Sequence, residues 1–179
     1  GLRWLWMGGL AGAGMAGIFL AYKVVPHVRE RIAKFLDLGG QENFQGERAF
    51  ESFVSGGWLG KGPGEGTVKR ILPDAHTDFI FAVTGEEFGI LFCLVLLGLF
   101  AFVVLRGLWH ASNEEDPFAR LAIAGLTMLF GLQSAINMAV NVQLMPAKGM
   151  TLPFISNGGS SLISLAFAMG ALIALTRRR

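Results

Sequence analysis

Four stretches of the chain are predominantly apolar: Leu5 to Val25, Asp78 to Leu105, Phe118 to Val142 and Gly158 to Thr176. A hydrocarbon core of about 30 Å takes about 20 residues of helix, so each stretch is long enough to cross a bilayer. A long polar connection, residues 26–77, separates the first two, and a short one, residues 143–157, separates the last two. This pattern predicts an all-α integral membrane protein of four transmembrane helices. Within the long connection Val28, Ile32, Phe35 and Leu36 recur at helical spacing opposite Arg29, Glu30, Arg31 and Lys34, predicting an amphipathic surface helix over Pro26 to Leu38 that ends at Gly39 and Gly40. A second amphipathic segment runs from Phe44 to Val54 and stops at Gly56 and Gly57. Gly60, Gly62, Gly64 and Gly66, grouped around Pro63, then require a turn-rich loop. That loop is not a nucleotide-binding Walker loop, because Gly62 follows Lys61 and Ser55 stands where the first glycine is needed.

Small residues mark helix-packing faces. Gly8, Gly12, Ala13 and Gly17 on the first helix, and Ser160, Ser161, Ser164, Ala168, Ala171 and Ala174 on the last, allow backbones to approach closely. So many close-packing faces on four helices predict a part of a larger bundle.

Composition agrees with the membrane reading: 53% of residues are hydrophobic, only 16% are charged, and mean hydropathy is +0.52. A net charge of +2 is too mild to suggest a nucleic-acid partner. The single cysteine, Cys93, excludes an intramolecular disulfide and a cysteine zinc site. The first apolar stretch is Gly-rich and lacks a cleavage signal, so it reads as a helix and not as a signal peptide. Four crossings bring both termini to one side together with Arg3, Arg106, Arg120 and the Arg177 to Arg179 triplet, which makes that side cytoplasmic and both connections extracytoplasmic.

Three groups of residues can carry chemistry. Asp78 opens the second span at its outer end, where it is either a helix cap, shared with Thr77, or a functional carboxylate. Glu86 and Glu87 follow two turns later, and about 12 Å along a helix is too far for the two carboxylates of a glycosidase. Their expected role is to pair with arginines or amides elsewhere in the bundle. Gln133, Asn137 and Asn141 recur every four residues on one face of the third span, suited to interhelical hydrogen bonds or to a polar cavity. That face leads to Pro146, Lys148, Gly149 and Pro153, and then to Ser156, Asn157, Gly158, Gly159, Ser160 and Ser161, a helix entry that is either a capped turn or an anion site.

These stretches, in this order, resemble the shape, elongation, division and sporulation family of polytopic glycosyltransferases (the FtsW/RodA/SpoVE family). Phe50 to Trp58, Leu72 and Pro73, Ala75 to Phe81 and Gly85 to Glu87 resemble its long outer loop and the helix that follows. Asn137 to Asn141, Pro146 to Pro153 and Gly158 to Ser161 resemble its second signature, although the family has Tyr where this chain has Asn157. The run Lys148 to Pro153 looks more like the division branch than the elongation branch. Family members have about ten membrane helices, and this chain resembles the last four.

The resemblance implies polymerisation of lipid II into peptidoglycan glycan strands at the bacterial inner membrane during division, with a class B penicillin-binding protein and other division proteins as partners. It implies that Asp78 is the essential carboxylate. His76, Asn137, Asn141, Ser160 and Ser161 are the expected substrate contacts. Lys148, Lys69, Arg70 or a divalent cation, magnesium or manganese, would balance the leaving diphosphate. A lipid II flippase and a non-catalytic scaffold are the competing functions.

Overall fold

The computed structural model describes residues 4–30, 41–72, 74–146 and 149–177. It divides into two compact units, residues 1–43 and 44–179. In the first, α1 (Trp4–Val24) is a 21-residue helix, and residues 26–30 are helical again. Gly8, Gly12, Gly14 and Gly17 face open space, since a methyl group added at any of them would touch nothing within 4 Å. The expected surface helix over residues 26–38 lies mostly outside the described residues.

The second unit contains all but the first three residues of α2 (Gln41–Gly56), a 3-10 turn at Val68–Arg70, α3 (Ile80–Ser112), α4 (Pro117–Asn141) and α5 (Gly159–Thr176). Among the described residues there is no strand, and α3, α4 and α5 are long and apolar enough to cross a membrane. The chain is therefore an all-helical membrane protein. Leu94, Val95, Leu99, Phe102, Leu121, Leu129, Ile163 and Phe167 remain exposed on these helices, as side chains solvated by lipid would be. Asp116 starts α4 by accepting from the amides of Phe118 and Ala119, with Pro117 in the first turn.

The helices α3 and α4 run antiparallel and in close contact. A methyl group at Gly107 would lie 2.4 Å from the Thr127 hydroxyl, and one at Gly131 would lie 2.9 Å from Val104. The Phe100 and Phe130 rings stack at 5.5 Å. At the far end Leu172 of α5 closes a small apolar cluster with Ala111 and Ile123.

The continuous second span expected from hydropathy is broken. At Gly89 the backbone takes φ 82° and ψ 173°, a conformation suited to glycine, and α3 divides into a stub, Ile80 to Phe88, and a spanning part, Ile90 to Ser112. Unbroken, its 33 residues would run about 50 Å, far beyond the hydrocarbon core. The stub folds back: in one straight helix Phe81 and Cys93 would be about 18 Å apart, yet Cys93 Sγ lies 3.9 Å from the Phe81 carbonyl oxygen. The packing register with α4 agrees. Extended from Gly107 and Val104, it would set Asn137 beside about Leu97, but Asn137 meets the backbone of Asp78 instead. The chain before Gly89 thus returns alongside α3 and carries Asp78 roughly 12 Å back along the helix axis.

The loop after α2 fills the break. Lys61 and Gly62 amides donate to the carbonyls of Glu86 and Glu87, while Ile90 and Leu91 amides donate to those of Gly57 and Trp58. All four backbone groups are freed by the broken helix, and in a membrane they need protein partners. The approach requires glycine, because a methyl group at Gly60 would lie 2.2 Å from the Glu87 carbonyl oxygen. On the other side of the stub, Phe53 of α2 packs its ring against Gly85 and Phe81.

Candidate functional site

The turn before the stub is built on Asp74, whose left-handed backbone (φ 56°) suits a short polar side chain. Its carbonyl accepts from the amides of Thr77 and Asp78, both at 3.0 Å, and from the Thr77 hydroxyl at 3.1 Å. Thr77 is thereby spent inside the turn. Phe79 occupies the N-cap of α3, with no side-chain capping bond, so neither Thr77 nor Asp78 caps the helix. The carboxylate of Asp78 is half-buried and makes no hydrogen bond or ion pair among the described residues. A methyl group at Gly149 would lie 3.7 Å from its Oδ2. Burial holds its pKa above the ordinary 3.8, and the negative charge of Asp74 adds to the effect.

Two buried amides fix this turn on α4. Asn137 and Asn141 each donate to the Asp78 carbonyl at 2.9 Å; Asn137 also donates to the Met150 carbonyl at 2.6 Å, and Asn141 accepts from the Ala82 amide at 3.0 Å. Both side chains are within 1% of complete burial, so these bonds meet no competition from water. The loop before α5 joins the same clamp. Ser156 donates to the Thr77 carbonyl at 2.5 Å and accepts from the Leu152 amide, the Asn157 amide donates to the His76 carbonyl, and Gln133 donates to the Thr151 carbonyl. The Thr151 and Ser161 hydroxyls are 2.6 Å apart. A carboxylate with no partner among the described residues therefore stands on a backbone turn gripped from two sides.

Glu86 and Glu87 belong to the loop–stub junction. Glu86 is completely buried and accepts from Lys61 Nζ at 2.8 Å, from the amide and hydroxyl of Thr67 and from the Val68 amide, each at 3.0 Å. Glu87 pairs with Lys69, which also donates to the Gly64 carbonyl. Both carboxylates are paired, as expected, but their partners are lysines and amides of the preceding loop in place of arginines or amides of the other helices, because the loop folds into the break beside them.

The structure brings Asp78, His76, Asn137, Asn141 and Ser161 into one connected neighbourhood, with the exposed Ser160 beside Ser161 at the entry to α5. Gly158 caps α5 without a side-chain bond. Lys69 is not part of this group, because its ion pair holds it at Glu87, about 13 Å along the stub from Asp78. Arg70 is exposed, and its side chain makes no hydrogen bond or ion pair among the described residues. Lys148 lies outside the described residues. Sequence reasoning missed Asp74, Thr151 and Lys61 as working parts. Only Asp74 had a visible signal, a second acid four residues before Asp78.

The described residues contain no group of three His, Cys, Asp or Glu close enough to form a metal cage. Asp78 and Asp74 are the acids nearest the site and would serve only a cation that keeps water and phosphate oxygens as its other ligands.

Comparison with known proteins agrees with this architecture. A probable peptidoglycan glycosyltransferase FtsW from Caulobacter vibrioides is 49% identical over 174 residues, covering 97% of this chain and 45% of that protein. The protein of the same description from Geobacter sulfurreducens is 43% identical, covering 92% of this chain and 46% of its own length. The chain thus spans about half the length of these relatives. A solved structure described as "Structural coordination of polymerization and crosslinking by a peptidoglycan synthase complex" superposes with a TM-score of 0.74 at 30% identity, over 96% of this chain and 49% of the other. The FtsW/RodA/SpoVE family model, described as cell cycle protein, matches residues 1–179 throughout, and the chain belongs to that family.

Proposed function

We propose that the protein containing this chain polymerises lipid II into septal glycan strands, with Asp78 as the general base. The observation that carries the reading is the half-buried Asp78 carboxylate, which has no partner among the described residues while its own backbone is clamped by two buried amides. In the reaction the carboxylate takes the proton of the acceptor sugar hydroxyl. The hydroxyl oxygen bonds to the anomeric carbon of the donor, the bond from that carbon to the diphosphate oxygen breaks with inversion, and undecaprenyl diphosphate leaves. Asp78 then returns the proton to water. Burial suits the role, because a carboxylate with a raised pKa is a stronger base. Arg70, Lys148 and the uncapped entry to α5 would balance the leaving diphosphate, with a divalent cation as the alternative source of positive charge.

The membrane orientation belongs to the same proposal: both termini cytoplasmic, the 26–77 and 143–157 connections outside, and α1 as a fourth crossing. So does a class B penicillin-binding protein as partner, for which the pairing of polymerisation with crosslinking in the structural relative's description gives support. A flippase would need a polar path through the bilayer. The amide face from Gln133 to Asn141 is the candidate path, and its donors are occupied in holding the two loops.

The test is Asp78→Asn in the full-length protein, assayed with purified lipid II. Asn is nearly isosteric but cannot accept the proton, so polymerisation should fall by about 10² to 10⁴ while the protein stays folded. Near-normal polymerisation would sink the assignment.

A further inference from the structure

The tip of the loop that fills the α3 break exposes two large apolar side chains, Trp58 at 68% and Leu59 at 81%. They are not on a free-swinging loop. The Trp58 carbonyl accepts from the Leu91 amide at 3.3 Å and the Gly57 carbonyl from the Ile90 amide at 2.9 Å, so the tip is fastened to the first residues of the spanning part of α3. Its surface continues into the exposed faces of Phe88, Leu91 and Phe92, which lead into the lipid-facing side of the helix. Two cations of the same loop are neutralised within the protein, Lys61 by Glu86 and Lys69 by Glu87, which leaves Glu65 and, further along, Arg70 as its exposed charges.

The opposite end of α3 supplies a second marker. Trp109 is half-exposed, and the Arg106 guanidinium lies 4.9 Å from the centre of its ring. From Ile90 to Trp109 the helix rises about 28 Å, close to the thickness of a hydrocarbon core of about 30 Å. Tryptophan favours the two boundary layers of a bilayer, where its ring is in the apolar phase and its N–H reaches water. The two tryptophans therefore stand one membrane thickness apart.

We propose that Trp58 and Leu59 insert into the headgroup–acyl boundary of the bilayer and anchor the helical hairpin at Gly89 to the membrane surface. The occupant of this apolar tip is lipid, the phase that already covers the adjoining face of α3. With the membrane surface set at Gly89, the Asp78 turn lies roughly 12 Å below it, alongside the spanning helix. The anchor thus fixes the depth at which the turn is held, whatever reaction Asp78 serves.

The experiment uses the full-length protein with native cysteines replaced, including Cys93→Ser, reconstituted in phosphatidylethanolamine and phosphatidylglycerol vesicles. Nitroxide labels go on Leu59→Cys, on Trp58→Cys and, as the water-exposed comparison, on Gly64→Cys. Leu59 and Trp58 are exposed and their Cys variants remove no buried packing. Labels at 58 and 59 should give an oxygen-to-nickel-chelate collision ratio several-fold above that at 64. Equal ratios at 59 and 64 would place the tip in water and overturn the proposal. Shielding of 59 from both reagents would also overturn it, by showing that protein covers the tip.

Discussion

The carbonyl of Asp78 has two donors, and that redundancy makes a quantitative prediction. Removing Asn141 by Asn141→Ala strands the buried Ala82 amide but leaves the Asp78 carbonyl bonded to Asn137; removing Asn137 strands the Met150 carbonyl but leaves the bond from Asn141. Each single change should cost about 2 to 4 kcal/mol, from one unsatisfied polar group and a small cavity in a site sealed from water. The double variant alone leaves the Asp78 carbonyl without either donor. Its cost should exceed the sum of the singles by about 1 to 3 kcal/mol, the penalty for one further orphaned carbonyl. The assay is denaturant unfolding of the full-length protein in detergent, followed by near-ultraviolet signals, with glycan polymerisation measured in parallel. Activity should fall faster than stability, because the clamp sets the position of the carboxylate. Additivity within about 0.5 kcal/mol would refute the shared-acceptor argument, since independent sites add to that accuracy.

Asp74→Asn removes the charge that adds to the raised pKa of Asp78, and Asn tolerates the same left-handed backbone, so the acid limb of the pH–rate profile should move to lower pH; a limb that stays in place would exclude the coupling. The sign for stability follows from the same shift. Folded Asp78 holds its proton above the ordinary 3.8, so the native state loses stability as pH rises from 3.8 through the folded value, and Asp78→Asn should abolish that loss. Glu86→Ala strands Lys61 and three loop donors and should cost about 3 kcal/mol, the low end for a buried pair because Lys61 is one-third exposed, whereas Glu86→Gln should cost less. Equal losses for the two would show that the charge carries the whole interaction. For orientation, with Cys93 replaced, a cysteine at Gly64 should react with an impermeant outside reagent and one at Asn113 should not; labelling of Asn113 alone would invert the topology.

Hydropathy and helix punctuation carried much of the helical layout. The apolar runs ending near Val142 and beginning near Gly158 correspond to helices Pro117–Asn141 and Gly159–Thr176, since Asp116, Pro117 and Gly158 act locally on the backbone. The segment read as amphipathic from Phe44 to Val54 lies within helix Gln41–Gly56. The break at Gly89 was hidden, because a single glycine in an apolar run is tolerated in a helix and the partners that make the break affordable sit thirty residues earlier, at Gly57 to Gly62. The capping alternative for Asp78 could be settled only in three dimensions, where Thr77 turns to Asp74 and Phe79 takes the cap position. The periodicity of Gln133, Asn137 and Asn141 predicted a shared face but not what it holds, because their acceptors are main-chain carbonyls that no side-chain pattern encodes.

The doubling back at Gly89 also changes what counts as an exchangeable part. A chimaera that swaps the outer loop of one relative for another's at residue 77 would cut between the Gly57 to Gly62 strap and the helix whose open backbone groups it completes. The donor strap would then have to match a stub, Glu86 and Glu87 included, that it had never packed against. A graft with boundaries at Gln41 and about Leu91 keeps strap, stub, both ion pairs and the Asp78 turn together, and its seam is the contact of the stub with Cys93, the amides of α4 and the loop 149–157.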